Sequence, residues 1–195
     1  HAWGPKLLLG TDLVGKTIGI IGTGRIGSSF VKRLHYGFGM KILYSDVKRN
    51  MDLEKTTGAK FRTLEKLLVN SDFVSVHVPL LKSTYHLIGA KQLKMMKPTS
   101  FLINTARGPI IDEHALIEAL RNKVIAGTGL DVYEGEPLIA INPRDIKELR
   151  QMKNVVLTPH TASATIEARQ AMSETAAKNI LRFIQGKLPP NAVSM

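Results

Sequence analysis

A doubly wound α/β fold with a parallel sheet is the class this sequence predicts, and three observations predict it. Short apolar, β-branched runs alternate with segments of helical periodicity along most of the 195 residues, the pattern of parallel strands joined by helical crossovers. The strand candidates read as continuous apolar runs, as expected where helices cover both faces of a sheet. A glycine-rich hexapeptide, Gly22-Thr23-Gly24-Arg25-Ile26-Gly27, falls between the first strand candidate and the first helix candidate.

The elements follow in order. Residues His1 to Val14 read as a lead-in, with Trp3-Gly4-Pro5 and a short apolar stretch Leu7-Leu8-Leu9. Lys16 to Ile21 is a buried strand. From Arg25 to His35, the recurrence of Ile26, Phe30 and Leu34 predicts one apolar helix face. Lys41 to Ser45 is the next strand, ended by Asp46. A short helix is expected over Thr63 to Val69, then a strand from Phe73 to Val78 stopped by Pro79. Lys91 to Met96 is a short helix, and Ser100 to Ile103 a strand. Asp112 is a candidate N-cap for a helix through Leu120 with Leu116, Ile117 and Leu120 as its apolar face. Strands are expected at Val124 to Leu130 and Val155 to Leu157. A long helix from about Ser163 to Gln185 is expected to turn Ile166, Met172, Ala176, Ile180 and Ile184 inward. Gly186 and Pro189-Pro190 end it.

Composition bounds the function classes. Hydrophobic residues make up 44% and charged residues 22%, an ordinary globular balance. No apolar run approaches the ~18–20 residues that cross a bilayer. No basic-then-apolar leader is visible, so a cytoplasmic location is expected. The absence of cysteine excludes disulfides and thiolate metal sites. With six histidines and no H-E-x-x-H pattern, no metal is expected. The net charge of +11 raises the question of nucleic acid. The cations are scattered, however, and lack the interleaved aromatics that stack on bases. A basic surface that attracts anionic small molecules is the preferred reading.

The glycine hexapeptide matches G-x-G-x-x-G in the setting that gives it a mechanism, after a strand and opening a helix. Gly22 allows the tight turn, Gly24 lets the backbone approach a pyrophosphate, and Gly27 lets the helix pack on the strand. Free N–H groups and the dipole at the helix start favour an anion. This predicts a Rossmann-type dinucleotide site. Asp46 ends the second strand, 19 residues beyond Gly27, where a carboxylate accepts hydrogen bonds from the adenosine ribose. It would repel a 2′-phosphate, so the expected cofactor is NAD rather than NADP. Lys48 and Arg49 pull the other way.

Three further segments each follow a strand candidate: Asn104-Thr105-Ala106-Arg107-Gly108, Gly129 to Pro137, and Thr158-Pro159-His160-Thr161-Ala162-Ser163. They therefore lie at the carboxyl edge of a parallel sheet, where ligands bind in open α/β folds. Their chemistry fits hydride transfer to a 2-oxo acid. Arginine offers a bidentate fork to a carboxylate. Histidine, with an unperturbed pKa of about 6.5, suits proton transfer to a carbonyl oxygen. A nearby glutamate would orient the ring and favour the imidazolium. Each residue alone has an ordinary alternative: a surface ion-pair arginine, a structural histidine, a turn glutamate before proline.

Together these motifs closely resemble the cofactor-binding domain of the D-isomer-specific 2-hydroxyacid dehydrogenases. The resemblance runs through Gly22–Gly27, Val74 to Pro79, Asn104 to Leu116, Gly129 to Pro137 and Thr158 to Thr165. It implies Arg107 as the substrate-binding arginine, His160 as the acid/base and Glu136 as its partner. It also implies Arg25 and Ile26 at the pyrophosphate, Pro79 and Thr84 lining the cofactor, Thr105 and Ala106 flanking the nicotinamide, and Asp131 holding the carboxamide. Glutamate rather than glutamine at position 136 argues against formate oxidation. Residues 15–186 would form the NAD-binding domain and 187–195 would start the return to a substrate domain that is mostly missing. The implied partners are a small 2-oxo or 2-hydroxy acid, of the glyoxylate or hydroxypyruvate kind, and a second copy in a homodimer. An NAD-sensing binding protein of the co-repressor type shares this fold and stays open at this stage, as does a cofactor module without chemistry.

Overall fold

The computed structural model of the chain describes residues 9–136 and 143–193. The expected lead-in features at Trp3-Gly4-Pro5 and at Leu7 and Leu8, and Pro137 at the end of the Gly129 to Pro137 segment, lie outside the described residues. Seven strands form one sheet: β1 (Thr17–Ile21), β2 (Lys41–Ser45), β3 (Lys60–Phe61), β4 (Phe73–Val76), β5 (Phe101–Asn104), β6 (Gly127–Leu130) and β7 (Val155–Leu157). Their order is β3-β2-β1-β4-β5-β6-β7, and every neighbouring pair is parallel. The winding reverses between β1 and β4, the crevice where such sheets take dinucleotides.

The helices are α1 (Arg25–Phe38), α2 (Met51–Thr57), α3 (Leu64–Asn70), α4 (Ala90–Leu93), α5 (Glu113–Arg121), α6 (Pro143–Leu149) and α7 (Ile166–Ile184). Several begin where side-chain oxygens meet free N–H groups. Asn50, Thr63, Asp112 and Thr165 accept from Leu53, Lys66, Ala115 and Ala168 respectively. Each such cap contributes about 1 kcal/mol.

Alternation along β1 sets up two cores. Ile18 and Ile20 pack with Val31 and Leu34 of α1, Tyr44 of β2 and Leu53 of α2. On the other side Ile21 joins Leu67 and Leu68 of α3, Val74 and Val76 of β4, Leu102 of β5, and Leu116, Ile117 and Leu120 of α5. The buried face of α5 is the expected one.

Of the expected α1 face, Leu34 is buried and Phe30 packs against the core, so the correction there concerns Ile26 alone, whereas the expected α7 face is corrected throughout. In α1 the buried residues are Gly27, Val31 and Leu34, whereas Ile26 is 74% exposed. The helix is rotated so that the side-chain-free Gly27 lies closest to the sheet. In α7 no side chain is buried, including Ile166, Met172, Ala176, Ile180 and Ile184, expected to face inward. The described chain divides into two compact units, one through Pro159 that holds the sheet and one from His160 that holds α7. The second unit contains no second layer of its own against which an apolar stripe could be buried.

Candidate dinucleotide and substrate site

Gly22 turns the chain out of β1 with φ 93°, a left-handed conformation that glycine adopts without a side-chain clash. A methyl group at Gly27 would come within 2.1 Å of the Gly22 carbonyl oxygen, so α1 can start this close to β1 only with glycine there. At Gly24 a methyl group would meet nothing within 4 Å; that backbone borders open space in which a phosphate fits. Ser28 closes the turn by donating to the Thr23 carbonyl at 2.7 Å. The 14-residue α1 then presents unpaired N–H groups, first among them those at Arg25 and Ile26. These residues fit a pyrophosphate.

Asp46 ends β2 beside this loop. One carboxylate oxygen accepts from the Thr23 N–H at 2.7 Å and from the Thr23 hydroxyl at 2.8 Å; the other accepts from the Val47 N–H at 2.7 Å. The half-buried carboxylate thus has a fixed place against the glycine loop. Asn50 adds a second tie, its side chain donating to the Thr23 carbonyl and the Ser28 hydroxyl, both at 3.2 Å. Neither Thr23 nor Asn50 was singled out from sequence. Only Asn50 had a local signal, as an N-cap residue before Asp52 and Glu54.

Across the winding reversal, a cleft of about 410 Å³ is lined by Ile26, His77, Val78, Pro79, Leu80, Thr105, Ala106 and Arg107. It joins the start of α1 to the carboxyl ends of β4 and β5. The exposed Ile26 therefore has a location that its sequence reading lacked: it is an apolar wall of this cleft. The Thr84 hydroxyl donates to the Pro79 carbonyl at 2.6 Å and accepts from the Leu81 N–H at 2.8 Å, bracing the loop that carries Pro79. A larger groove at the opposite, amino-terminal side of β2, near Lys41 and Gly58, holds none of the predicted residues.

Arg107 is exposed in an extended backbone, φ −147°. Its guanidinium donates to the Ala106 carbonyl at 2.6 Å and has no acidic partner among the described residues. The loop is held from below by the buried Asn104, whose side chain accepts from the Ala106 N–H and donates to the Arg107 carbonyl. Sequence reasoning quoted Asn104 without giving it this bracing role. Next to Arg107, a methyl group on Gly108 would reach within 1.9 Å of the Tyr133 carbonyl oxygen. The β5 and β6 loops therefore meet backbone to backbone. Glu136 accepts from the Tyr133 N–H at 3.1 Å. Asp131 is 4% exposed and accepts from the Thr158 hydroxyl, and the Tyr133 hydroxyl donates to the Thr158 carbonyl at 2.7 Å. So β5, β6 and β7 bring Arg107, Asp131, Glu136 and Thr158 to one sheet edge. His160 heads the second unit with φ 53°, a left-handed conformation that costs a non-glycine residue about 1–3 kcal/mol.

His77, at the base of the cleft, was also not singled out as a side chain. It pairs with the Ser75 hydroxyl at 2.9 Å and tilts against Phe30 at 5.2 Å between ring centres. Burial lowers its pKa to about 4, so it stays neutral beside the phosphate loop. Among the described residues no three His, Asp or Glu side chains converge as a metal site would need, and no helix is long and apolar enough to cross a membrane.

The family model for the NAD-binding domain of D-isomer-specific 2-hydroxyacid dehydrogenases matches residues 1–162. A glyoxylate reductase of Thermococcus litoralis is 52% identical over 98% of the chain and 56% of the relative's own length. One from Korarchaeum cryptofilum is 50% identical over 99% of the chain and 56% of its own length. Among solved structures, D-lactate dehydrogenase with NAD+ from Lactobacillus jensenii superposes with a TM-score of 0.89 at 36% identity, covering 99% of the chain and 60% of that protein. The Aquifex aeolicus D-lactate dehydrogenase complexed with NAD and lactic acid gives 0.85 at 37%, over 91% and 56%. The chain thus spans a little over half the length of these relatives. With a reversal-point crevice, a glycine cradle open toward a phosphate and an acidic residue ending β2, it belongs to the D-isomer-specific 2-hydroxyacid dehydrogenases, as their NAD-binding domain.

Proposed function

We propose that this protein is an NAD-dependent oxidoreductase interconverting a 2-oxo acid and a D-2-hydroxy acid, of the glyoxylate or hydroxypyruvate class. The observation that carries the reading is the placement of Arg107, unopposed by any acid among the described residues, in the cleft that Ile26 and Pro79 also line. A dinucleotide on the glycine loop and a carboxylate on Arg107 would then share one crevice. The names of the relatives point the same way, and none of them supports the co-repressor reading.

Each residue has a role in this proposal. Gly22, Gly24, Arg25, Ile26 and Gly27 hold the pyrophosphate, and Asp46 the adenosine ribose. Pro79 and Thr84 line the cofactor. Thr105 and Ala106 flank the nicotinamide, and Asp131 holds its carboxamide. When bound, NADH supplies the hydride for the carbonyl carbon. Arg107 fixes the substrate carboxylate through its planar fork. His160 gives a proton to the carbonyl oxygen and takes it back in the reverse direction, with Glu136 favouring its protonated form. The same reading takes residues 15–186 as the dinucleotide-binding domain, and expects a homodimer in the cytoplasm with no role in nucleic-acid binding.

The test is oxidation of NADH, followed by absorbance, with glyoxylate, hydroxypyruvate and pyruvate. Turnover with any of them supports the dehydrogenase. Tight NADH binding without turnover on any 2-oxo acid would shift the reading to a binding protein.

A further inference from the structure

The wall at the ribose end of the site is formed by residues 46–50, tied to the glycine loop at both ends by Asp46 and Asn50. Two cations, Lys48 and Arg49, sit in that wall. A cation there would attract a 2′-phosphate and offset the repulsion from Asp46. Arg49, however, is engaged. Its Nε donates to one oxygen of Glu54 at 3.0 Å and its Nη2 to the other at 2.5 Å. Both carboxylate oxygens are taken in a fork geometry.

This pair is anchored more firmly than most surface ion pairs. The hydroxyl of the fully buried Tyr44 donates to Glu54 at 2.5 Å and accepts from the Asn50 N–H at 2.8 Å. The Glu54 side chain is only 17% exposed, against 56% for Arg49. A carboxylate fixed on a core hydroxyl and gripped bidentately falls in the class of ion pairs that hold their geometry. Asn50 also caps α2, the helix that carries Glu54. Helix, strand and glycine loop therefore hold Arg49 in one orientation.

We propose that Glu54 is a specificity-determining residue for the dinucleotide: together with the Tyr44 hydroxyl it sequesters Arg49, withholding that guanidinium from a 2′-phosphate. Preference for NAD over NADP then rests on two carboxylates with different tasks. Asp46 occupies the ribose position and Glu54 neutralises the neighbouring cation. The inference rests on the reading of Gly22–Gly27 and Asp46 as the dinucleotide site.

The test is the ratio of NADPH to NADH dissociation constants, measured by calorimetry on the full chain and its variants. Glu54→Gln releases Arg49 and is expected to move the ratio about fivefold toward NADPH, the size of one exposed charge contact. Glu54→Asp keeps the charge but withdraws it by one methylene, and is expected to move the ratio the same way by less. In the double variant Glu54→Gln with Arg49→Ala the gain should disappear. A folded Glu54→Gln protein with an unchanged ratio overturns the proposal. So does a double variant that keeps the gain, because the effect is then lost repulsion and not a freed arginine. If Glu54→Gln does not fold, Glu54→Asp decides alone, and an unmoved ratio there overturns it. A wild-type chain that binds neither dinucleotide refutes the underlying site instead, and is told apart by its flat NADH titration.

Discussion

Arg107 stands in the cleft with its guanidinium held only by a backbone carbonyl. On the proposed function, replacing it by leucine removes one partner of a desolvated charge pair in the substrate complex, which costs about 2 kcal/mol or more. The expected result is a fall in kcat/KM of roughly 30-fold or more, with the melting temperature unmoved because the side chain is exposed. Equal turnover by the variant would remove Arg107 from the mechanism. His77 makes a different kind of prediction. Its pKa is lowered from 6.5 to about 4 by burial, so the unfolded chain takes up a proton at a pH where the folded chain does not. Its contribution to stability is complete above about pH 6.5 and is lost as pH falls toward about 4, by at most about 3 kcal/mol. Denaturant unfolding at neutral and acidic pH should show a shallower acid loss in His77→Gln than in the wild type. Parallel pH profiles would mean the ring is protonated in the folded state.

Among the elements, α1 is the one to which the proposed function assigns the pyrophosphate. Its first turn can serve a phosphate only while Gly27 lies against the Gly22 carbonyl. Gly27→Ala places a methyl group 2.1 Å from that oxygen, which belongs to backbone and not to a flexible side chain, so the helix must retreat. Overpacking of this kind costs about 1–3 kcal/mol, and the anion site retreats with the helix. NADH affinity is expected to fall more than tenfold in Gly27→Ala while far-UV circular dichroism stays that of an α/β protein. An unchanged dissociation constant would mean that the loop does not receive the pyrophosphate. Gly24→Ala is the useful comparison, since its added methyl meets no protein atom and would interfere only with a ligand.

For the molecule as a whole, the site depends on a sheet that stays rigid between its two cores. Leu102 lies at the middle of β5, fully buried, one strand from the winding reversal and two residues before Asn104. Leu102→Ala should cost about 2–5 kcal/mol in denaturant unfolding, the range for a cavity that cannot collapse. A loss below 1 kcal/mol would show that the second core relaxes around the gap. The two compact units also differ in how they are held. The unit through Pro159 contains both apolar clusters, whereas α7 buries no side chain, so core substitutions act through the first unit.

The sequence by itself determined the alternation of strands and helices, the glycine loop, the cap at Asp112, and the chemistry-bearing loops after β5, β6 and β7. These are local properties: periodicity, turn chemistry and capping act within a few residues of the chain. It did not reveal α2, α6 or β3: β3 has only two residues, and α2 (MDLEKTT) and α6 (PRDIKEL) carry too few apolar residues to mark a face. Tertiary structure alone decided which face of α1 is buried, since Ile26 and Val31 are equally apolar and only the close approach at Gly27 separates them. It also decided that Asp46 is fixed by Thr23, that Asn50 joins α2 to the phosphate loop, and that Glu54 and Tyr44 hold Arg49. Those contacts depend on the side-by-side registry of β1 and β2, and pairing across 23 and 27 residues of chain, as for Asp46 and Asn50 with Thr23, leaves no mark on local sequence pattern.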